Sequence, residues 1–385
     1  MVVPRQYNHV KGLMKSRLVF GLALSLFTIG LTATTSAQTV SVFDTVYVPP
    51  GYTDGPGTAT MYVPEIRNGI GVVLVHGCTG NRRDPRAWCD TLAAYGYVAM
   101  TIEYPDPCVD STAIYPKRTR AVKLAVEFLR RNAGRFGITT AKIVGLGLSA
   151  GADTWGEAIV WDNDDAYFQT DSTISDHLDA AVLLYGTYDP YEADPLDSVF
   201  YAYYDYYFSY DSLRALKGTC IKNVANITTP VLLMHGTSDN NTPYLQSVRL
   251  HDSLVARGKV NELVLFNGQP HAFDRTGPFN DFTPAGLVAK DSALAFLRRE
   301  LSPALKMHIY NRSIDFGNLL VAESDTAIAS ITNIGVAPLS VTSIANSSPQ
   351  FTLVNLPVFP AIVPAGSSLQ FRVAFHPSAS GVFQS

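Results

Sequence analysis

Lys142-Ile143-Val144-Gly145-Leu146-Gly147-Leu148-Ser149-Ala150-Gly151 combines a short apolar run with a Gly-x-Ser-x-Gly pattern, and this stretch decides the fold. The apolar run predicts a strand covered on both faces, and a helix is predicted to follow it. A serine between such elements sits in a strained turn, and neighbouring glycines leave room for close packing. The turn aims the hydroxyl of Ser149 at the helix N-terminus, where free N–H groups favour negative charge. The stretch therefore predicts a nucleophilic serine.

Alternating elements on both sides of this turn predict an α/β fold over residues 40–302. Further buried strands are predicted at 71–75, 97–102, 180–184, 230–234 and 262–266, and amphipathic helices at 118–135, 247–257 and 291–301. Strands that alternate with helices imply right-handed crossovers and a mostly parallel sheet flanked by helices. Residues 40–48 and 58–63 alternate polar and apolar character and predict an antiparallel hairpin at the sheet edge.

A base and an acid for the serine follow later strands. His271 comes just after the last predicted core strand, and Asp239 follows the strand that ends near His235, which we interpret as structural. The order Ser149, Asp239, His271 is the order of the α/β-hydrolase triad lineage. Asp274 is a rival acid, but it is too close in sequence to His271 to approach its far ring nitrogen easily. The alternative role of Asp239 is to cap its turn.

The oxyanion hole requires only backbone N–H groups. Ala150 follows the nucleophile, and the loop 76–80 after the first parallel strand offers Cys78 as the favoured donor, with Thr79 next. His76 is predicted to hold this loop. Such a mechanism needs neither a cofactor nor a metal, and the substrate-binding residues stay open.

Taken together, these segments resemble the α/β-hydrolase superfamily. Residues 131–138 followed by 142–151 resemble the helix-strand-turn run of bacterial esterases of the hormone-sensitive-lipase and dienelactone-hydrolase kinds. The lipase branch carries His-Gly-Gly-Gly where this chain has His76-Gly77-Cys78-Thr79-Gly80, and dienelactone hydrolases use cysteine where this chain has Ser149. The resemblance implies a serine carboxylesterase that cleaves a small-molecule or polysaccharide-linked ester and leaves the ester unnamed.

Two other functions stay open. A serine peptidase of the prolyl-oligopeptidase type shares the triad geometry, although the usual propeller domain is absent from the sequence pattern. A catalytically inactive surface-binding protein is the other. Residues 187–228 carry many aromatic side chains where a lid insertion would lie, and these rings either wall the pocket or only pack the insertion onto the core.

Composition bounds the partners. The chain has 385 residues, of which 47% are hydrophobic, enough for two globular units. A net charge of −4 and the lack of a basic run argue against nucleic-acid binding. Among Cys78, Cys89, Cys108 and Cys220, one bridge between two of the first three is plausible, and no spacing of zinc type occurs.

The N-terminus predicts export. Basic residues precede an apolar run at 18–31, and small residues lead to Ala37, which is typical of a signal peptide over residues 1–37. The run is shorter than the roughly 20 residues that span a bilayer, so we expect no membrane span in the mature chain. The expected location is secreted, periplasmic or at the cell surface.

Residues 306–385 predict a second, all-β domain. Strand-length alternations are punctuated there by Pro, Gly, Ser and Asn, a pattern typical of an immunoglobulin-like sandwich. Residues 314–317, 331–339 and 371–377 resemble the Hydin-type immunoglobulin-like module of bacterial surface proteins, a choice-of-anchor domain. The resemblance implies a role as a spacer or in attachment to the cell surface. Such modules usually continue past residue 385, so we expect a truncated sandwich without its closing strand.

Overall fold

The structure is a computed structural model. It describes residues 16–19, 38–139, 142–162, 164–191, 204–276, 281–301, 307–310, 313–317, 319–333, 338–346, 348–364 and 367–381. Its chain divides into one unit of residues 33–301 and one of residues 1–32 with 302–385. Of the predicted signal segment 1–37, only strand β1 (Ser16–Val19) is described, and the rest of that prediction lies outside the described residues.

An eight-stranded, mostly parallel sheet forms the centre of the unit that carries Ser149. Its order is β2-β3-β5-β4-β6-β7-β8-β9. The strands are β2 (Val40–Val46), β3 (Thr58–Pro64), β4 (Ile70–Val75), β5 (Val98–Ile102), β6 (Lys142–Leu148), β7 (Ala180–Leu184), β8 (Val231–Gly236) and β9 (Asn261–Phe266). The hairpin β2-β3 is antiparallel to β5, and the pairs from β5 through β9 are parallel. The predicted α/β fold with an antiparallel edge is confirmed.

The central strands are buried because helices cover both faces of the sheet. The side chains from Val72 to Val75 and from Val182 to Leu184 have no exposed surface. Burial on both faces explains why these strands read as continuous apolar runs without alternation. Carboxyl ends of parallel strands share one edge, which places the loops after β4, β6, β8 and β9 together.

The described helices of this unit include the three amphipathic helices that the sequence predicts, with two differences in their bounds. They are α1 (Arg86–Ala94), α2 (Lys117–Arg131), α3 (Ala133–Phe136), α4 (Ala150–Ile159), α5 (Asp165–Phe168), α6 (Ser212–Gly218), α7 (Leu245–Val255) and α8 (Pro284–Leu301), with a 3₁₀ helix at Cys220–Asn226. The helix predicted over 118–135 is interrupted at Asn132. Helix α8 begins seven residues before the predicted start, because Thr283 Oγ1 accepts the N–H of Gly286 and Pro284 takes the first helical position. Within the described residues, no helix has the length and apolar character to cross a bilayer.

The aromatic insertion packs onto the core where it is described. Tyr204, Tyr207 and Phe208 form a buried cluster with Tyr115 and Phe168. Residues 192–203 of the predicted insertion lie outside the described residues. Packing therefore accounts for most of the rings that the structure describes in this insertion, which was one of the two predicted roles.

In its described residues the second unit contains strands and no helix. Its strands are β12 (Met307–Tyr310), β13 (Ser313–Gly317), β14 (Asp325–Asn333), β15 (Leu339–Val341), β16 (Phe351–Val354), β17 (Ala361–Val363) and β18 (Ser368–Phe375). Strands β12-β14-β18-β16 form one antiparallel sheet, β15 pairs with β17, and β1 pairs with β13. The rings of Phe316, Phe351 and Phe375 pack together in its core. The short hairpin β10 (Arg275–Thr276) and β11 (Asp281–Phe282) belongs to the first unit.

Candidate active site

Ser149 occupies a sharp turn between β6 and α4. Its backbone has φ 53° and ψ −122°, a conformation that residues with a side chain rarely adopt. A Cβ on Gly151 would overlap the carbonyl oxygen of Val75 and lie 2.7 Å from that of His76. A Cβ on Gly147 would lie 2.6 Å from the Cα of Ala152. Both glycines are therefore required by close backbone packing at the strained serine.

Three side chains that follow three different strands form a chain of hydrogen bonds. Asp239 Oδ2 lies 2.7 Å from His271 Nδ1, and His271 Nε2 lies 2.9 Å from Ser149 Oγ. A carboxylate only accepts, so Nδ1 of His271 donates to it. The neutral ring then accepts at Nε2, and the hydroxyl of Ser149 donates. The structure thus brings together the three residues predicted from the sequence, with the histidine placed to remove the serine proton.

Asp239 is buried and held as an anion. Its Oδ1 accepts the N–H groups of Asn241 and Thr242, each at 2.8 Å. Burial raises the pKa of this carboxyl, but hydrogen bonds from His235 and His271 outweigh that effect and hold the pKa well below its usual range. A carboxylate that stays ionised can orient His271 and stabilise its protonated form. Oδ1 therefore caps the turn, which was the predicted alternative role, while Oδ2 faces His271.

His235 is a neighbour of this chain of hydrogen bonds whose contact the sequence analysis did not predict. It is fully buried at the end of β8, and its Nε2 lies 3.2 Å from Asp239 Oδ2 and 3.0 Å from the carbonyl oxygen of Thr242. Its Nδ1 faces Ser247 Oγ at 2.8 Å. The only hint of this contact in the sequence is that His235 and Asp239 are four residues apart.

The rival acid Asp274 is bonded elsewhere. Its Oδ2 accepts from Trp88 Nε1 and its Oδ1 from the hydroxyl of Tyr185, both at 2.8 Å. The ring of Tyr185 packs edge-on against the ring of His271, with centroids 4.8 Å apart. Asp274 therefore holds the tyrosine that packs against His271.

The loop after β4 approaches Ser149 and carries the predicted oxyanion donors. Cys78 and Ala150 both line the cavity beside Ser149. The N–H of Thr79, the second choice for this role, donates to Asp106 Oδ2 at 2.7 Å and so points away from it. His76 is buried with Nδ1 2.8 Å from the carbonyl oxygen of Gly77, which agrees with its predicted role in holding the loop.

A disulfide fastens this loop. Cys78 is bridged to Cys108, one of the pairs that the sequence left open, while Cys89 and Cys220 are free and buried. Asp106 strengthens the same junction, since its Oδ1 accepts the N–H of Cys108 at 2.9 Å. Both sulfur atoms are consumed in the bridge, which leaves this Cys-Asp-Cys group a single carboxylate as a metal ligand.

The cavity over Ser149 has a volume of about 510 Å³, which is large enough for a drug-sized ligand. Its lining is mixed. The polar groups are Asp84, Asp153, Tyr185, Thr187, Tyr204, Asn241, Thr242 and Arg275, besides His271 and the loop 77–80. Tyr204 belongs to the aromatic insertion, so one ring at least has the second predicted role.

Comparisons with known proteins agree with the fold. The BD-FAE family model matches residues 61–254, just over half of the chain, and the model "HYDIN/CFA65/VesB-like, Ig-like domain" matches residues 306–385. Esterase LipC of Mycobacterium tuberculosis is 30% identical over 201 residues, which are 49% of this chain and 49% of LipC. The chain therefore spans about half the length of that relative. An uncharacterized peptidase of Bacillus subtilis, YuxL, is 39% identical over 57 residues, 15% of this chain and 9% of YuxL.

Solved structures show the same fold. Est2, an esterase of Thermogutta terrifontis, superposes with a TM-score of 0.54 at 21% identity over 69% of this chain and 94% of that one. Esterase B of Lactobacillus rhamnosis gives 0.58 at 18% identity over 69% and 89%. The predicted resemblance to α/β-hydrolase esterases followed by a Hydin-type module is confirmed. Because the family model matches residues 61–254, just over half of the chain, the chain belongs to the BD-FAE family.

Proposed function

We propose that this protein is a serine carboxylesterase that works through an acyl-enzyme at Ser149. The observation that carries the proposal is the pair of hydrogen bonds from Ser149 Oγ to His271 Nε2 and from His271 Nδ1 to Asp239 Oδ2. Serine is a weak nucleophile unless a base takes its proton, and an oriented histidine is the usual base. The similarity to LipC supports ester chemistry in particular.

The acylation step follows from this geometry. Ser149 Oγ attacks the ester carbonyl carbon while its proton passes to His271 Nε2, and Asp239 stabilises the imidazolium. Negative charge develops on the carbonyl oxygen, which the N–H groups of Ala150 and Cys78 stabilise. The intermediate collapses as the C–O bond of the ester breaks and His271 gives its proton to the departing alcohol. The acyl group then remains on Ser149.

Deacylation reverses the roles with water. His271 takes a proton from water, whose oxygen attacks the acyl carbon, and the proton is returned to Ser149 Oγ as the acid leaves. Placement of the Cys78 N–H matters in both steps, because one oxyanion donor accounts for about 10²–10³ in kcat in other hydrolases. The bridge to Cys108 and the carboxylate of Asp106 therefore act by positioning this donor.

The test is hydrolysis of p-nitrophenyl acetate, butyrate and longer esters, with labelling by a fluorophosphonate. Wild type is expected to turn over and to be labelled, and Ser149→Ala to lose at least about 10³ in kcat and all labelling. The matched control is Ser172→Ala, an exposed serine outside the cavity, which is expected to behave as wild type. Wild-type turnover no faster than that of Ser149→Ala would contradict esterase activity and favour a catalytically inactive binding protein.

A second function, peptide hydrolysis, is favoured by one observation, the 57-residue similarity to the peptidase YuxL. The same triad cleaves amides, but it must then protonate a poorer leaving group. Turnover of acyl p-nitroanilides or Xaa-Pro peptides with a higher kcat/KM than the matched esters would replace the esterase proposal with a peptidase.

We also propose that the chain is exported through residues 1–37 and held at the cell surface by residues 306–385. The basic and apolar pattern of the segment supports export, and the bridge between Cys78 and Cys108 suits an oxidising compartment. Expression of the full chain in a bacterial host should give a mature N-terminus at Gln38. Retention of residues 1–37 on the protein isolated from the cell exterior would contradict cleavage.

A further inference from the structure

Asp153 is an acidic residue of the cavity that the proposed mechanism does not use. It is the fourth residue after Ser149 on α4, and its backbone N–H donates to the carbonyl oxygen of Ser149 at 3.1 Å. Residues four apart in a helix lie on one face. The side chain of Asp153 lines the cavity with that of Ser149, and the residue is 8% exposed.

Two hydrogen bonds fix the carboxylate and leave part of it unused. Asp153 Oδ1 accepts the N–H of Thr187 at 2.6 Å, and Oδ2 accepts the hydroxyl of Tyr204 at 2.8 Å. An ionised carboxylate offers about four acceptor positions. Thr187 and Tyr204 line the same cavity, so the carboxylate is held rigidly at its wall with acceptor positions remaining.

The surroundings of Asp153 leave its charge incompletely balanced. Arg118, whose charge lowers the pKa of Asp153, makes a buried ion pair with Glu157, which also accepts the hydroxyl of Tyr207 at 2.9 Å. Burial is the largest effect on Asp153 and raises its pKa to about 6, while Arg118 and the two hydrogen bonds lower it. The residue is therefore an anion above that pH, in a low-dielectric wall where a further donor is strongly favoured.

The other charged groups of the cavity do not compensate it. Arg275 lines the cavity, but its Nε lies 3.6 Å from Asp274 Oδ2 and its Nη1 donates to the carbonyl oxygen of Asp84. Asp84 itself is a second carboxylate of the lining. The cavity therefore carries an excess of negative charge, which repels an anionic group and attracts a hydrogen-bond donor.

We propose that Asp153 is a specificity-determining residue that accepts a hydrogen bond from a donor group, a hydroxyl or an ammonium, which the substrate carries near its ester. The inference rests on the proposed ester hydrolysis at Ser149. It predicts that esters with such a donor are preferred over plain alkyl esters, and that esters with a nearby carboxylate are the poorest substrates. A site built to accept a donor rejects the analogue that lacks it, because a buried acceptor is then left unpaired.

The test compares matched esters at pH 8. On the acyl side the pair is p-nitrophenyl butyrate and p-nitrophenyl 3-hydroxybutyrate. On the alcohol side propyl acetate, glycerol monoacetate and 2-(dimethylamino)ethyl acetate, whose protonated amine carries an N–H, separate no donor, hydroxyl and ammonium, with acid release followed by titration. Wild type should prefer the donor-bearing ester over the plain ester, in either the acyl or the alcohol comparison. Asp153→Asn should lower the ratio of kcat/KM for the donor-bearing ester to kcat/KM for the plain ester by about tenfold.

Two further variants separate substrate recognition from structure. Tyr204→Phe removes the hydroxyl that holds Asp153 and is expected to retain the preference, because the acceptor remains. Asp252→Asn, an exposed helical aspartate outside the cavity, is the matched control and should leave the ratio unchanged. An equal fall of kcat/KM for donor-bearing and plain esters in Asp153→Asn would show a purely structural role and overturn the proposal.

The outcome is decided even if Asp153→Asn does not fold. Equal turnover of donor-bearing and plain esters by wild type alone overturns the inference and leaves esterase activity in place. A wild type that hydrolyses none of these esters and is not labelled by fluorophosphonate contradicts the proposed function instead.

Discussion

His235 donates from Nε2 to the same oxygen of Asp239 that accepts from His271. The two oxygens that face Nε2, Asp239 Oδ2 at 3.2 Å and the carbonyl oxygen of Thr242 at 3.0 Å, can only accept. The proton of a neutral His235 therefore lies on Nε2, and Nδ1 accepts from the hydroxyl of Ser247. Asp239 thus receives donors from two histidines and two backbone N–H groups, which is why it stays ionised while buried.

Replacing His235 with phenylalanine should weaken both stability and turnover. The change removes one donor from Asp239 and leaves the carbonyl oxygen of Thr242 without it. We expect the free energy of unfolding to fall by about 1–3 kcal/mol and kcat to fall by about tenfold, because a less constrained carboxylate orients His271 less well. Denaturant unfolding and p-nitrophenyl acetate kinetics measure the two effects.

Ser247→Ala is the matched control for that change. It removes the hydroxyl on the other side of the ring and leaves the Nε2 donor in place, so kcat should stay within about threefold of wild type. A His235→Phe enzyme with wild-type kcat would show that the contact with Asp239 stabilises the fold alone.

The elements that position the site could be predicted because their signals are local. The apolar run at 142–146, the glycines around Ser149 and the side chains that follow β8 and β9 each stand within a few residues of the feature they determine. Parallel topology then brings the strand ends together. The fold prediction is confirmed, while the catalytic roles of Ser149, Asp239 and His271 stay predictions that their geometry supports.

Features that depend on distant partners could not be predicted. The carboxylate of Asp153 is held by a hydrogen bond from Tyr204, which lies 51 residues later in the chain. Tyr204 belongs to the aromatic insertion, where the sequence shows no periodic pattern that would predict its course. The bridge between Cys78 and Cys108 was one of several pairs until the loops after β4 and β5 were placed side by side. Tertiary packing supplies these contacts, and the composition of either segment alone does not reveal them.

A methyl group at Gly151 should be far more harmful than one at another helical glycine. Gly151→Ala would place a Cβ into the carbonyl oxygens of Val75 and His76, which lie in the central strand and its loop and cannot move aside cheaply. We expect a loss of about 3 kcal/mol or more in the free energy of unfolding. Gly134→Ala, where nothing lies within 4 Å of the added Cβ, should be neutral or slightly stabilising. Equal melting temperatures for the two variants would contradict this account of the turn.

Breaking the disulfide should impair catalysis as well as stability. The bridge joins residues 30 apart in sequence, and a loop of that size corresponds to about 3–4 kcal/mol in the chain-entropy model. Cys108→Ser also frees the segment that carries the Cys78 N–H, so kcat should fall by about tenfold or more. Dithiothreitol should reproduce the kcat effect in wild type and do nothing further to Cys108→Ser. If wild type keeps its activity after full reduction, checked by thiol titration, the disulfide is not needed to position the oxyanion donor.

The pKa of Asp153 gives a dependence of stability on pH that its amide should remove. Burial raises that pKa from 3.8 to about 6 in the folded protein, so between these values the folded state binds more protons than the unfolded one. The contribution of Asp153 to the free energy of unfolding must then fall as the pH rises from about 4 to about 6, by on the order of 3 kcal/mol. Asp153→Asn cannot titrate, so the difference in free energy of unfolding, variant minus wild type, should grow by that amount over this range and stay constant above it.

Tryptophan fluorescence reports the unfolding of the part of the chain that contains Asp153. The three tryptophans, Trp88, Trp155 and Trp161, all lie between residues 33 and 301, so their signal reports unfolding of the unit that contains Asp153. Asp252→Asn makes the same change at an exposed aspartate outside the cavity and is the matched control. A flat difference for Asp153→Asn would mean that water or a bound group balances the carboxylate in the folded protein, and that its charge is not left for a substrate donor.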